Sequence, residues 1–315
     1  MSAREFEVID RYFKVISESA AGVVLGPGDD CAVLSFPGNS EVCTSTDTLI
    51  EGIHFPVNAD ASLVATRLVG ANLSDLAAMG AEPHSCLIAL TLPAADADWL
   101  ESFSGTLSKQ LQKYDLALVG GNMAQGTLSL SMTVLGTVPA GQAIKREGAR
   151  AGDEIYVTGT LGDAAGGLKQ LQDGVGQDDF LVMRYAEPAP RVDLGVQLRG
   201  LATAMIDISD GLLADLGHLC RASNVGGSVE WASLPISEDL AALLGDTDAR
   251  SLALNAGDDY ELCFTAPAGS AASIQALNDE VSITKVGQIT ASGRVELIDE
   301  QGKPVAVSAS GYSHF

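Results

Sequence analysis

The stretch TLSLSMTVLGTV, residues 127–138, alternates apolar and polar side chains along its length. The two sets are Leu128, Leu130, Met132 and Val134 on one side and Ser129, Ser131 and Thr133 on the other. Because successive side chains of a β-strand point to opposite faces, this pattern predicts a strand with one buried face. The segments before and after this strand then decide how the chain is organised.

The segments before this strand alternate between strand and helix patterns. Strands are predicted at 42–50, 86–93 and 116–122, and helices at 62–80 and 97–113. Gly80 and then Pro83 mark the end of the first helix. The strand 116–122 is expected to lead into a glycine turn at Gly120 and Gly121. The first half is therefore an alternation of strands and helices that ends in paired strands.

A change of composition towards small and basic residues follows in PAGQAIKREGARAG, residues 139–152. A second alternation then begins, with strands predicted at 153–159, 204–209 and 260–266 and helices at 161–172, 191–201 and 210–223. We therefore predict an α+β protein with an N-terminal domain over 1–139, a connection over 140–152 and a C-terminal domain over 153–315. Each domain is expected to contain a mixed or antiparallel sheet covered by helices.

Charge and composition exclude several classes of function. The 315 residues include 18 Lys and Arg against 41 Asp and Glu, a formal net charge of −23 that repels nucleic acid and anionic membrane surfaces. No stretch approaches the roughly 20 apolar residues of a membrane span, and the N-terminus lacks the apolar core of a signal peptide. Five scattered cysteines without a C-x-x-C pair favour reduced thiols. These features predict a cytoplasmic protein that binds neither nucleic acid nor membranes.

Acidic residues recur where predicted strands end or glycine turns occur. They are Asp29, Asp30, Asp47, Asp207, Asp210, Asp258 and Asp259, joined by Asp75 on the apolar face of the helix 62–80. Magnesium is usually held by a few carboxylates together with substrate phosphates, so these side chains are candidates for a shared metal site. Each Asp could instead form a turn or cap a helix, and Asp210 before Gly211 suits an N-cap.

Seven motifs occur in the order and spacing of one enzyme family, over essentially the whole chain. They are GPGDDCAV, STDTLIEGIHF, NLSDLAAMGAEP, LVGGN, REGARAGDEIYVTGTLG, DISDGL and NAGDDYEL. The chain thereby resembles bacterial thiamine-monophosphate kinases. Aminoimidazole ribonucleotide synthetase and selenophosphate synthetase are related ATP enzymes with the same two-domain α+β fold, but STDTLIEGIHF and NAGDDYEL look like the kinase.

The resemblance implies ATP-dependent phosphorylation of thiamine monophosphate to thiamine diphosphate by direct in-line transfer in a homodimer, with several Mg²⁺ ions and no covalent nucleophile. A monovalent cation requirement stays open. The implied metal ligands are Asp30, Ser45, Thr46, Asp47, Asp75, Asn122, Asp207 and Asp210. The implied ATP contacts are Gly121, Asn122, Arg146 and Ser209. The implied contacts of the thiamine moiety are His54, Glu261 and Tyr312.

Several of these residues have simpler interpretations. His54 could be a core histidine, Glu261 a solvated strand-edge residue, and Arg146 the partner of a surface acid. The family pattern Gly-Gly-Asp-Thr reads Gly120-Gly121-Asn122-Met123 here, so Asn122 supplies no full charge and could be a turn residue only. Two other functions stay open: another ATP-using enzyme of this fold, and a non-catalytic acidic protein that binds divalent cations.

Overall fold

The computed structural model describes residues 9–13, 22–25, 33–176, 179–277 and 281–305. The chain divides into two compact units, Met1–Leu76 with Ala81–Gly141 and Ala77–Gly80 with Gln142–Phe315. The boundary at 141–142 lies within the segment predicted as a connection. Among the described helices, none is long and apolar enough to cross a bilayer.

The first unit contains a four-stranded mixed sheet. A π-helical turn at Ile9–Phe13 and a short antiparallel pair, β1 (Val23–Leu25) and β2 (Val33–Leu34), come first in the chain. The sheet strands are β3 (Ser40–Ile50), β4 (Glu82–Leu92), β5 (Ala117–Gln125) and β6 (Ser129–Pro139), and the helices are α1 (Ala61–Ala78) and α2 (Ala97–Lys113). The strand order is β3-β6-β4-β5, parallel between β4 and β5 and antiparallel elsewhere.

The alternation in β6 has the consequence that the sequence predicts. Leu128, Leu130, Met132 and Val134 are buried, whereas the intervening positions of β6 are half-buried, so this prediction is confirmed. In α1 nearly every residue is buried, including Asn72, and Asp75 is one of the few half-buried positions. The helix therefore runs within the core instead of presenting one apolar face to it.

The predicted glycine turn after the third strand is wrong. β5 continues through Gly120 and Gly121 as far as Gln125, in parallel register with β4. A Cβ atom on Gly121 would collide with the carbonyl oxygen of Ile88, so glycine here allows the two backbones to approach closely. The register shift between β4 and β5 lies just before this pair of glycines, at Leu118–Gly120.

The second unit contains a seven-stranded sheet. Its strands are β7 (Glu154–Thr158), β8 (Ala204–Ile208), β9 (Gly226–Glu230), β10 (Glu261–Ala266), β11 (Ile283–Thr290), β12 (Val295–Ile298) and β13 (Pro304–Val305), in the order β13-β12-β9-β11-β7-β10-β8. Its helices are α3 (Asp163–Gln172), α4 (Phe180–Ala186), α5 (Val192–Gln197), α6 (Leu212–Ser223), α7 (Glu238–Leu244), α8 (Asp246–Asn255) and α9 (Ala271–Gln275). Among the described strands of this sheet, only β9 and β12 pair in parallel. The α+β prediction is confirmed.

Helix α6 is amphipathic and lies against this sheet. Its Leu212, Leu216 and Leu219 are fully buried in a cluster with Ile155 of β7 and Ile206 of β8. His218 on the same helix is exposed. The side of α6 that carries His218 therefore does not pack on the sheet.

Candidate active site

The first cluster of predicted ligands forms between β3 and α1. Ser45 and Asp47 alternate on the inward side of β3, where the Ser45 hydroxyl donates to Asp75 Oδ2 at 2.5 Å. The backbone N–H of Asp47 donates to Asn72 Oδ1 at 3.1 Å, and the Asn72 amide group donates to the Leu68 carbonyl at 2.9 Å. Asn72 thus fixes the strand to the helix where the two carboxylates approach each other.

The two carboxylates of this cluster repel each other. Burial raises the pKa of Asp47 to about 6, and the negative charge of Asp75 adds to that rise. A positive ion at the pair would relieve the repulsion, and hard cations such as Mg²⁺ prefer carboxylate and hydroxyl oxygens over nitrogen or sulfur. The donor chemistry of Ser45, Asp47 and Asp75 therefore fits magnesium.

The described residues do not complete a metal site by themselves. Within 33–176, 179–277 and 281–305, no three His, Cys, Asp or Glu side chains lie close enough to hold a metal ion. Asp30, a predicted ligand, lies outside the described residues. Phosphate oxygens commonly supply the remaining magnesium ligands, so a two-carboxylate pair is a usual protein contribution.

Thr46 is not brought to the same face as its neighbours. Its side chain lies on the exposed side of β3, where its hydroxyl is 2.8 Å from that of Thr133 on β6. Thr48 and Ser131 make the same contact one step along, at 2.7 Å. The side chain of Thr46 is therefore on the opposite face of the sheet from Asp47, and its role as a metal ligand stays a prediction.

Gly121 and Asn122 lie in the outermost strand of the sheet. Both are exposed, and Asn122 is opposite Ala89 in the register of β5 on β4. Asn122 is within a strand, so the interpretation as a left-handed turn residue is wrong. The exposed position leaves the amide side chain accessible to a ligand.

His54 is neither fully buried nor free to rotate. It lies half-buried in the turn after β3, and its Nδ1 accepts the backbone N–H of Ile50 at 3.0 Å. The carbonyl oxygen of His54 accepts from Arg67 Nη2 at 3.4 Å. With Nδ1 acting as an acceptor, the neutral ring carries its proton on Nε2. A substrate contact would therefore be made by an N–H donor.

The second cluster of predicted ligands follows β8. Asp207 is almost fully buried in this strand, and Ser209 and Asp210 are half-buried in the loop after it. The helix cap is Gly211, which has no side chain to form a capping bond, so the interpretation of Asp210 as an N-cap is wrong. The loop is instead held by Asp215, a residue that the sequence reasoning did not single out. Burial raises the pKa of the Asp215 carboxyl to about 7.

Arg146 is exposed in the connecting segment. Burial lowers the pKa of His218 on α6, as do the positive charges of Arg221 and Arg146, whereas the charge of Asp210 raises it. Arg146 and Asp210 therefore both lie within electrostatic range of one side chain on α6. Among the described ion pairs none involves Arg146, and its role in ATP binding stays a prediction.

Glu261 is not a solvated edge residue. It is fully buried, its Oε1 accepts from Arg184 Nη2 at 2.9 Å, and its Oε2 accepts from Arg191 Nε at 2.7 Å and from the Thr158 hydroxyl at 2.5 Å. Burial alone would raise its pKa, but Arg191 and Arg184 hold it below the usual range. A contact between Glu261 and a substrate would require these ion pairs to open, and that role stays a prediction. Tyr312 lies outside the described residues.

Two further buried acids, Asp259 and Asp163, accept hydrogen bonds from backbone N–H groups or from hydroxyl groups. Asp259 is buried, and its carboxylate accepts the N–H groups of Gly162 at 2.7 Å and Ala164 at 3.4 Å at the start of α3. Asp163 accepts the hydroxyls of Thr160 and Ser237 at 2.5 and 2.6 Å. These residues come from three separate segments, 160–164, 237 and 259, so the sequence carries no local signal of the network.

Comparison with known proteins shows the family of the chain. The family model "AIR synthase related protein, N-terminal domain" matches residues 28–138, and the corresponding C-terminal model matches 150–300. A thiamine-monophosphate kinase of Escherichia coli K12 is 43% identical over 322 residues, which is 100% of this chain and 99% of the relative. The chain belongs to the thiamine-monophosphate kinase family.

Solved structures of this kinase family share the fold. A thiamine-monophosphate kinase from Stenotrophomonas maltophilia K279a is 43% identical with a TM-score of 0.88, covering 97% of this chain and 99% of that one. AaThiL complexed with AMPPCP and TMP is 29% identical with a TM-score of 0.78, covering 99% and 97%. The family assignment that the seven motifs suggest is therefore confirmed.

Proposed function

We propose that this chain transfers the γ-phosphoryl group of ATP to thiamine monophosphate, giving thiamine diphosphate and ADP. The observation that carries the proposal is full-length membership of the thiamine-monophosphate kinase family, together with the relative of solved structure that holds both AMPPCP and TMP. Bound magnesium would supply charge neutralisation for the phosphates. Magnesium ions would be held in the first unit by Ser45, Asp47 and Asp75, with Asp30, Thr46 and Asn122 as further candidates, and in the second unit by Asp207 and Asp210.

The chain's own groups then have distinct tasks in a direct transfer. Arg146 and the loop at Ser209 would bind and orient the phosphates of ATP, with Gly121 and Asn122 as further ATP contacts. His54 would donate a hydrogen bond to the acceptor molecule through Nε2. Since phosphoryl transfer depends on positioning and electrostatics, no covalent phosphoenzyme is needed.

We further propose that the enzyme is a cytoplasmic homodimer. The sheet of the first unit has a face whose residues are half-buried or exposed, including Val42 with 43% and Leu87 with 38% of its surface exposed. Hydroxyl pairs such as Thr46 with Thr133 line the same face. A second copy of the chain would cover this open sheet surface. Light scattering at micromolar concentration measures the mass directly, and a mass of 32.5 kDa would contradict the dimer.

The substrate assignment is tested by measuring ADP release with thiamine monophosphate and with other phosphate monoesters, each with ATP and Mg²⁺. We expect turnover with thiamine monophosphate only, and thiamine diphosphate as the product in equal amount to ADP. Mass spectrometry of enzyme quenched after mixing with ATP alone should show no retained phosphate. Equal turnover with an unrelated monoester, or a phosphate retained on Asp or His, would contradict the proposal.

A further inference from the structure

One carboxylate oxygen accepts hydrogen bonds from the backbone of the loop after β8. Asp215 is 3% exposed, and its Oδ2 accepts three consecutive backbone N–H groups, from Ser209 at 3.1 Å, Asp210 at 3.0 Å and Gly211 at 3.1 Å. Hydrogen bonds to a carboxylate are stronger than bonds between neutral groups. The loop is therefore fixed to the first turn of α6 through a single side chain.

At the other end of the same helix, a hydroxyl group forms hydrogen bonds with the backbone of the connecting segment. Ser223 Oγ donates to the carbonyl of Arg146 at 2.9 Å and accepts the N–H groups of Gly148 and Ala149, both at 3.1 Å. Gly148 has φ +132, and a Cβ atom there would collide with the carbonyl oxygen of Thr203. The segment that carries Arg146 is thus hydrogen-bonded to Ser223, the last residue of α6. At Gly148 this segment has a backbone conformation that favours glycine.

The two anchors lie on one rigid element. Asp215 and Ser223 are eight residues apart on α6, a rise of about 12 Å along the helix axis. Between them His218 lies within the electrostatic range of both Arg146 and Asp210. The side chains of Arg146 and Asp210, which the proposed function assigns to phosphate and to metal, therefore both lie within electrostatic range of one residue of this helix.

We infer that α6 sets the spacing between Arg146 and the Ser209–Gly211 loop, with Asp215 and Ser223 as positioning residues for nucleotide binding. This inference rests on the proposed function, because Arg146, Ser209 and Asp210 serve there as ATP and metal ligands. In this inference neither positioning residue needs a contact with the nucleotide itself. Asp215 acts through the loop, and Ser223 acts through the segment that carries Arg146.

The test combines hydrogen exchange with calorimetry of AMPPCP binding in Mg²⁺, on the full chain. Asp215→Ala should speed exchange of the amides of 209–211 by about tenfold or more, because their shared acceptor is lost, and leave 148–149 protected. Ser223→Ala should speed exchange of the amides of 148–149 and leave those of 209–211 protected. Each variant should weaken AMPPCP binding about tenfold, and the Asp215 variant alone should need more Mg²⁺ for half-saturation.

Two conservative variants and a matched control distinguish positioning from general stability. Asp215→Asn retains an oxygen acceptor and Ser223→Thr retains a hydroxyl, so both should recover most of the protection and affinity. Asp299 also collects two backbone N–H groups, of Gln301 at 2.9 Å and Lys303 at 2.7 Å, and Asp299→Ala should leave AMPPCP binding unchanged.

Unchanged AMPPCP affinity in Ser223→Ala and Asp215→Ala, with the local amides exposed, would overturn the inference while leaving the kinase proposal intact. If Asp215→Ala does not fold, Ser223→Ala carries the decision, because this variant removes one hydroxyl only. Absence of AMPPCP binding by the wild-type protein, in contrast, would overturn the proposed function together with the inference.

Discussion

The acids of the two units differ in how their charge is compensated. In the second unit, Glu261 is fully buried between Arg184 and Arg191, and Asp259 is buried against backbone N–H groups of α3. In the first unit, Asp47 and Asp75 are half-buried and close enough for Asp75 to raise the pKa of Asp47. The buried acids are already supplied with donors by the protein.

This difference teaches how to separate structural acids from ligand-binding acids in one fold. An acid whose oxygens are occupied by arginines and amides stabilises the chain and has little capacity left for a ligand. Two half-buried acids that repel each other gain most from an added cation. Sequence motifs alone mark both kinds equally, since all four acids lie in motifs that the kinase family shares: Asp47 in STDTLIEGIHF, Asp75 in NLSDLAAMGAEP, and Asp259 and Glu261 in NAGDDYEL.

The largest effect is expected at the buried ion pair. Glu261→Ala leaves two guanidinium groups, 13% and 17% exposed, without their carboxylate, and should lower the free energy of unfolding by about 3–5 kcal/mol. Urea unfolding measures this loss. Glu296→Ala is the control, because its partner Arg294 is 76% exposed and that pair should contribute less than about 1 kcal/mol. A raised KM for thiamine monophosphate at unchanged stability would instead make Glu261 a substrate residue.

Substitution of Asp47 or Asp75, the two acids that repel each other, should reduce activity and not stability. Asp47→Asn and Asp75→Asn should each lower kcat by about 100-fold or more, because a charge needed to neutralise the phosphates through metal is lost. Their unfolding midpoints should stay the same or rise, since the repulsion is removed. Asp98→Asn, an exposed acid of α2, should change neither quantity. Near-normal rates of both variants at saturating Mg²⁺ would remove the distinction between the two units.

A pH titration of stability sharpens the comparison at Asp259. Burial raises its pKa from 3.8 to about 8, with backbone donors and Arg184 opposing the rise and Asp163 adding to it. The folded protein therefore binds this proton more tightly than the unfolded chain, and its contribution to stability is lost as pH rises from about 4 to about 8. One such proton gives a slope of up to about 1.4 kcal/mol per pH unit. Asp259→Asn should flatten the curve by this amount, and parallel curves would contradict the assignment.

The smallest effect is expected at Asn122. If it lies at the metals, Asn122→Asp adds one negative charge and should lower the Mg²⁺ concentration for half-maximal rate a few-fold, with a smaller change in the saturating rate. Its exposed position in β5 means that the substitution should leave stability within about 0.5 kcal/mol. Superimposable magnesium titrations of the two proteins would mean that position 122 does not reach the metals.

Much of the fold follows from periodic patterns in the sequence. The helix predicted at 97–113 coincides with α2, and the alternation in β6 gives its buried face, because both depend on spacing along one segment. The end of β5 is missed, since glycine favours a turn locally while the close approach to Ile88 keeps it in the sheet. Tertiary contact overrides local preference there.

The sequence predicted the site residues that lie in family motifs. It did not predict the residues whose role depends on hydrogen-bond partners from other segments. The pairing of Ser45 with Asp75 joins two motifs that the sequence marks separately. In contrast, Asp215 resembles an ordinary helix residue among Ala214 and Leu216, and only the structure shows the three amides that it collects. A buried acid on the apolar side of an amphipathic helix was the available signal.

The cysteines provide a reporter for each unit. Cys86 lies in the core of the first unit and Cys220 and Cys263 in that of the second, all buried, and burial raises the pKa of each thiol, to about 11 for Cys220. Such thiols are poor nucleophiles until the surrounding strands separate. A short pulse of a maleimide, followed by peptide mapping, would therefore time the opening of each unit separately, without any introduced label.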